Sequence, residues 1–344
     1  MAFSLTEALP VLWYVILCVA VVAYAWGDGF DLGVGVIYPL ARNNTERRML
    51  LNSIGPVWDG NEVWLIIIIG GLFAGFPPAY TLLLTTFYMP IWTLVLLYIF
   101  RGCSLEFRSK IEKKKWKVFW DIVFVSSSAA ISFFLGTLAG NIVLGLPLSP
   151  ETSFISSSWL LFFRPYAVLC GAVVTSAFAF HGACFAVMKS SGELCLRIQN
   201  RFSYVLSSFL VCYFLLIGAT LGVIPKRFDA FTAYTLLILL IVFTSCFCFA
   251  AKNSVKRERY GLAFCYSSLN LLVLALSAVA LTFPNILIST VDPQYSCTIF
   301  NAAVTAKTLK SLCTIVVVGL PLIIAYGIFV YRVFRGKTDF PSIY

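Results

Sequence analysis

Nine apolar stretches of about 20 residues or more decide what this chain can become, because a segment of that length crosses the hydrocarbon of a bilayer only as a helix or within a closed barrel. They run approximately over residues 9–38, 57–76, 80–100, 118–144, 161–188, 204–224, 230–250, 262–283 and 309–334. Each is long and continuous, whereas barrel strands are short and alternate. The expectation is therefore an all-α polytopic membrane protein with about nine transmembrane helices. Composition agrees: charged residues make up 12% of the 344, against about 25% in soluble domains, and the mean hydropathy is +0.92. Pro77 and Pro78 close the second stretch, Pro147 the fourth, Pro225 the sixth and Pro284 the eighth. Several links are short, so neighbouring helices pair as antiparallel hairpins.

Charge orients the bundle. Of the 25 lysines and arginines, 20 fall in the links after the first, third, fifth and seventh stretches or at the end of the ninth. Arg164, Lys226, Arg227, Lys307 and Lys310 fall on the other side. The positive-inside rule then puts the N-terminus outside and the C-terminus in the cytoplasm. The net charge of +10 follows from the same asymmetry, and the basic residues from Lys110 to Lys117 read as an anchor on anionic membrane lipid, with no nucleic-acid partner. No basic residue precedes the first stretch and no small-residue cleavage site precedes Trp13, so that stretch is expected to be a retained span. The eleven cysteines are scattered through the expected helices, with Cys297 alone in a sizeable outside link, which supports no disulfide framework. Cys246 and Cys248 are two apart, on different faces of a helix, and make no metal site.

Redox chemistry is bounded by ligands. Several haems need several axial histidines or methionines, and the chain has one histidine, His181, and four methionines. It cannot be a multihaem protein by itself, and His181 reads as a packed, hydrogen-bonded residue before it reads as a ligand. Carboxylates are the more informative feature, since ionised groups are expensive inside a membrane. Asp28 and Asp31 share a helix face at i,i+3 near the end of the first span, among Gly27, Gly29, Gly33 and Gly35, which permit close approach of a neighbour. They handle protons, or they form an interfacial pair bridged to Arg42, Arg47 or Arg48. Asp59 and Glu62 repeat the spacing at the start of the second span, where they serve proton uptake or where Asp59 or Asn61 caps the helix. Trp58 and Trp64 are compatible with ordinary interface aromatics. Arg101 is the natural counter-ion for one of these four acids, and Asp121 joins the same cytoplasmic layer.

The ordered set Trp26-Gly27-Asp28-Gly29-Phe30-Asp31-Leu32-Gly33, Asn43-Asn44-Thr45-Glu46-Arg47-Arg48 and Asn52-Ser53-Ile54-Gly55-Pro56-Val57-Trp58-Asp59-Gly60-Asn61-Glu62-Val63-Trp64-Leu65 closely resembles subunit II of the cytochrome bd-type quinol oxidases. Phe73-Ala74-Gly75-Phe76-Pro77, residues 101–110 and 116–121, Phe283-Pro284, Asn301-Ala302-Ala303 and Tyr331-Arg332-Val333-Phe334-Arg335 extend the likeness, dense over the first 121 residues and looser beyond. The resemblance implies two four-helix bundles, residues 1–145 and 160–283, plus a peripheral helix at 309–334, in the bacterial cytoplasmic (inner) membrane. It implies a heterodimer with a larger subunit I, which carries haem b and haem d, oxidises quinol and reduces oxygen to water, with small accessory subunits in some members. This chain would then be a haem-free subunit with no catalytic residue of its own. Its proton-pathway candidates are Asp59, Glu62, Asp28 and Asp31, charge-balanced by Arg101 and Asp121. Trp64 matches a position bordering an oxygen entrance, and Trp58 one near a quinone that some members hold as a structural group. One departure is the link at 225–228, shorter than in some relatives. From the acids alone, a proton-coupled transporter is the alternative reading, although no inverted repeat supports it.

Overall fold

A computed structural model describes residues 5–149, 159–222 and 230–338. In chain order these form α1 (Leu5–Ile37), α2 (Asn44–Ile54), α3 (Trp58–Gly75), α4 (Pro77–Thr86), α5 (Tyr88–Phe107), α6 (Lys114–Leu144), α7 (Trp159–Phe162), α8 (Pro165–Lys189), α9 (Gly192–Thr220), α10 (Ala230–Lys256), α11 (Tyr260–Thr282), the strands β1 (Asn285–Leu287) and β2 (Cys297–Thr298), and α12 (Ala306–Val333). Among the described residues eight helices are long and apolar enough to cross a membrane, and α2 with α3 makes a ninth, bent by 47°. The link at 225–228, with Lys226 and Arg227, lies outside the described residues.

The third span departs from the expected 80–100. Pro90 lacks an N–H to give to Thr86, and its ring crowds that carbonyl, so α4 stops at Thr86 and α5 restarts at Tyr88. Phe87 fills the break, fully buried against Phe162 at 5.5 Å. α5 therefore ends at Phe107, and Arg101 sits six residues inside it, about 9 Å from its end at 1.5 Å per residue. The sixth span likewise begins at Gly192, before the apolar run, because the polar turns from Glu193 to Arg201 continue the helix beyond the hydropathy signal.

Helices α1, α6 and α8 form the centre, with α8 the most enclosed: 67% of its most apolar window is buried, against 6% for α12. α1 and α8 cross at two glycines. A Cβ on Gly33 would stand 1.8 Å from the Phe178 carbonyl oxygen, and one on Gly182 would stand 2.3 Å from the Gly33 carbonyl carbon. The four glycines of α1 thus divide: only Gly33 meets backbone, while Gly27, Gly29 and Gly35 face the side chains of Asn61, Phe178 and Ser128. At the end of the bundle away from the acids, the β1–β2 hairpin covers the link after α6, where Leu146 donates its N–H to Ile288 and accepts from Thr290. Arg164 closes that link from the side, its guanidinium donating to Asn141 Oδ1 and the carbonyls of Asn141 and Gly145.

Candidate functional site: a buried acid layer

Every residue of α1 from Gly27 to Gly35 is buried, so Asp28 and Asp31 lie inside the bundle, both 0% exposed. The alternative of an interfacial pair bridged to Arg42, Arg47 or Arg48 is not what the fold provides. Arg101, also 0% exposed, reaches across from α5 and puts Nη1 2.8 Å from Asp28 Oδ1. The same nitrogen bonds Glu62 Oε1 of α3. One turn before Asp28, Tyr24 donates its hydroxyl to Asp28 Oδ2 at 2.7 Å, and it shares a further hydrogen bond with the Tyr98 hydroxyl of α5. Trp58 lies with its ring 6.0 Å from the Arg101 guanidinium carbon.

Asp31 takes a different set of partners. Its Oδ2 accepts from Asn61 Nδ2 at 2.8 Å, and Asn61 Oδ1 accepts from the Tyr331 hydroxyl of α12 at 2.8 Å. Gly27 makes room for this amide, since a Cβ there would fall 2.8 Å from Asn61 Oδ1. Trp26 packs on the Tyr331 ring at 5.4 Å, holding the end of the last helix against α1.

Asp59 stands apart from the layer. It is exposed in the first turn of α3, three residues and one turn before Glu62 on the same side of the helix. No side chain caps that turn, so neither Asp59 nor Asn61 serves as a helix cap. Asp59, Val63, Ile66, Gly70 and Phe73 form an exposed stripe at helical spacing, and Trp64 is half-buried beside it.

Asp121 does not share the Arg101 layer. It is buried with Arg108, whose Nε donates to Asp121 Oδ1 at 2.5 Å, with Tyr38, whose hydroxyl donates to the same oxygen at 2.6 Å, and with Arg47, whose Nη1 donates to Oδ2 at 2.8 Å. Because α5 extends past Arg101, Arg108 is carried one to two turns further and takes the position facing α6. A third station lies beyond, where Glu46 accepts from Arg197 of α9 at 2.7 Å and from the Arg42 N–H at 2.7 Å. The inner layer thus has three acids and one cation, and the next has one acid and two cations.

His181 is enclosed in α8 with both ring nitrogens engaged, Nδ1 with Ser267 Oγ at 2.7 Å and Nε2 with the Trp26 carbonyl at 3.1 Å, and its ring stacked on Phe264 at 4.7 Å. No ring nitrogen is left for an iron, so this histidine does not fit an axial haem ligand. Among the described residues no group of three or more His, Cys, Asp or Glu could hold a metal ion.

Six members of these layers escaped the sequence reading as site residues: Tyr24, Tyr38, Tyr98, Asn61, Arg108 and Tyr331. Spacing held a signal for three, since Tyr24 is i−4 from Asp28, Tyr98 is i−3 from Arg101 and Arg108 is i+7 from it. Nothing local marks Tyr331, which reaches Asn61 across 270 residues of chain.

Comparison with known proteins follows the same lines. A family model described as cytochrome bd terminal oxidase subunit II matches residues 9–334. The cytochrome bd ubiquinol oxidase subunit 2 of Bacillus subtilis (strain 168) is 30% identical over 334 residues, spanning 95% of this chain and 96% of that protein. The cytochrome bd-I ubiquinol oxidase subunit 2 of Escherichia coli (strain K12) is 28% identical over 361 residues, spanning 96% and 95%. A chain in the structure of bd oxidase from Geobacillus thermodenitrificans shares the fold with a TM-score of 0.75 at 17% identity, covering 95% of this chain and 98% of that one. The match over nearly the whole length, on a fold of eight or nine membrane-crossing helices, means that this chain belongs to the cytochrome bd terminal oxidase subunit II family.

Proposed function

We propose that this chain is the haem-free subunit II of a quinol:oxygen oxidoreductase in a bacterial cytoplasmic membrane, scaffolding a haem-bearing subunit I and bringing protons to it from the cytoplasm. Quinol oxidation and oxygen reduction then belong to subunit I. The observation that carries the proton role is the inner layer's imbalance: it holds three acids and one cation, with Arg101 paired to Asp28 and Glu62 while Asp31 has only the Asn61 amide. An unpaired carboxylate buried in ionised form costs several kcal/mol, of order the effective desolvation penalty per ion. A second negative charge about 5 Å from the first adds ~3 kcal/mol at an effective dielectric of about 20. Neutralising a carboxylic acid at pH 7 costs only ~4 kcal/mol, three pKa units at 1.36 each. The cheaper state retains a proton, so the layer stores one in the resting protein.

Entry is through Asp59, exposed one helical turn from Glu62. In this reading the exposed stripe from Asp59 to Phe73 is the face that docks on subunit I, which would put Asp59 where the two chains meet. The chain enters the membrane with its N-terminus outside and its C-terminus in the cytoplasm, as two four-helix bundles (1–145 and 160–283) with α12 at the periphery. Arg108 and Arg47 charge-balance Asp121 at the cytoplasmic mouth, and the basic link from Lys110 to Lys117 rests on anionic lipid. Trp64 borders the oxygen entrance and Trp58 a structural quinone. The test is Asp59→Asn in the intact complex. Quinol oxidase turnover falls at least tenfold while haem content stays normal; normal turnover with normal haem content overturns the proton role.

A further inference from the structure

We infer that the proton retained by the inner layer resides on Asp31, at Oδ1, and that Tyr331 of the last helix is a positioning residue that puts it there by orienting Asn61. The inference rests on the proton-handling reading above and specifies which acid holds the proton.

The partners of each acid decide the assignment. The one cation of the layer has its Nη1 shared between Asp28 and Glu62. Asp28 is further stabilised as an anion by the Tyr24 hydroxyl, a donor at 2.7 Å, and Glu62 keeps 22% of its side chain exposed. Asp31 has neither advantage. It is fully buried, makes no ion pair among the described residues, and its single hydrogen bond comes from a neutral amide. Facing it are Asp28 of its own helix, Glu62 of α3, Arg101 of α5 and Tyr331 of α12. The titratable group that α8 brings nearby, His181, is turned to Trp26 and Ser267. Two of these neighbours are acids that compete for the same guanidinium, so of the three carboxyl groups Asp31 gains least from ionising.

Which oxygen carries the proton follows from Asn61. A tyrosine hydroxyl donating to the amide oxygen fixes the amide's orientation, since Oδ1 is then occupied and Nδ2 points the other way, at Asp31 Oδ2. An oxygen that accepts an N–H serves as the carbonyl oxygen of the acid. The proton is left to Oδ1, which is buried and has no other hydrogen-bond partner among the described residues. Gly27 belongs to the same device, because any larger residue would push Asn61 out of line between Tyr331 and Asp31.

The experiment is infrared absorption of the purified complex of this chain with its subunit I at pH 7, in water and in deuterium oxide. A protonated carboxyl group gives a C=O stretch that carboxylates lack and that shifts on deuteration. Asp31→Asn loses one such band. Tyr331→Phe keeps the band's amplitude and shifts its frequency, because the freed amide can turn its oxygen toward the acid; a purely structural role for Tyr331 would leave the frequency alone. An Asp31→Asn spectrum that keeps the band in full overturns the assignment. If Asp31→Asn does not assemble, as read from the haem content, Tyr331→Phe decides, and an unshifted band overturns it. Turnover of Asp59→Asn separates this inference from the reading beneath it. Full turnover there with the Asp31 band present removes proton delivery and leaves the proton on Asp31; impaired turnover with no Asp31 band removes the present inference alone.

Discussion

At the scale of single residues, Arg101 is the side chain on which the inner layer depends. It is enclosed, and its terminal nitrogen joins acids from two helices. Removing one partner of a buried ion pair typically costs about 3–5 kcal/mol, because the charge left behind is uncompensated. Arg101→Met therefore lowers the stability of the assembled complex by about that amount. The double variant Arg101→Met, Asp28→Asn recovers a large part of the loss, which a double-mutant cycle on the thermal midpoint measures; additivity of the two changes would mean that the pair is not coupled. Asp28, Glu62 and Arg101 were visible as charges standing in apolar sequence. Arg101 was also legible as the counter-ion of one acid, but not that it pairs with Asp28 and Glu62 together, since i,i+3 spacing shows which residues share a helix face and says nothing of which face of another helix lies opposite. Tyr24, Tyr98 and Asn61 are ordinary residues of apolar helices until that opposition is known.

Helices raise a different question, which is how closely they approach. The α1–α8 crossing exists because Gly33 and Gly182 let two backbones touch, and it is this contact that brings Trp26 and His181 within hydrogen-bond reach. Overpacking a tight site costs about 1–3 kcal/mol, and more where the obstacle is backbone that cannot move aside. Gly33→Ala therefore destabilises the complex by at least 2 kcal/mol by that same measure, whereas Gly218→Ala, whose Cβ meets nothing within 4 Å, leaves the thermal midpoint unchanged. Equal effects would show that the crossing is not held by glycine. The glycine-rich run of α1 was legible as a place of close contact, but only the fold distinguishes the one glycine against backbone from the three against side chains. The break at Phe87 belongs here too. Hydropathy reads through Pro90 because one proline barely lowers the mean of an apolar window of about 20 residues, whereas the helix breaks one turn earlier, at Phe87, because Pro90 has no N–H for the Thr86 carbonyl.

For the whole molecule, the proposed orientation has a direct test. Gln294 is exposed in the link between the strands, and Lys114 is exposed at the start of α6. In intact cells stripped of their outer layers, a membrane-impermeant maleimide labels Gln294→Cys and leaves Lys114→Cys unlabelled until the cells are lysed; the opposite pattern inverts the topology. The native Cys297, at the start of β2 just after that link, does not obscure the result. Burial pushes its thiol up to about 11, so at pH 8 it stays protonated and, with 6% of its surface exposed, it is a poor nucleophile.

The sequence by itself determined the class of molecule: an α-helical membrane protein of about nine spans with its charged chemistry gathered at one end. Apolar length and the backbone's need for internal hydrogen bonds leave no other solution in hydrocarbon. The motif set around Asp28, Asp59 and Glu62 likewise carried the family. Only the tertiary structure decided how the charges are shared. It put Arg101 inside the third membrane helix rather than at its end, moved Asp121 to Arg108 and Arg47, left Asp59 on the surface, and brought Tyr331 from the last helix to Asn61 and Asp31. Those outcomes depend on where helices begin, break and cross, and such geometry is set by packing between segments far apart in the chain.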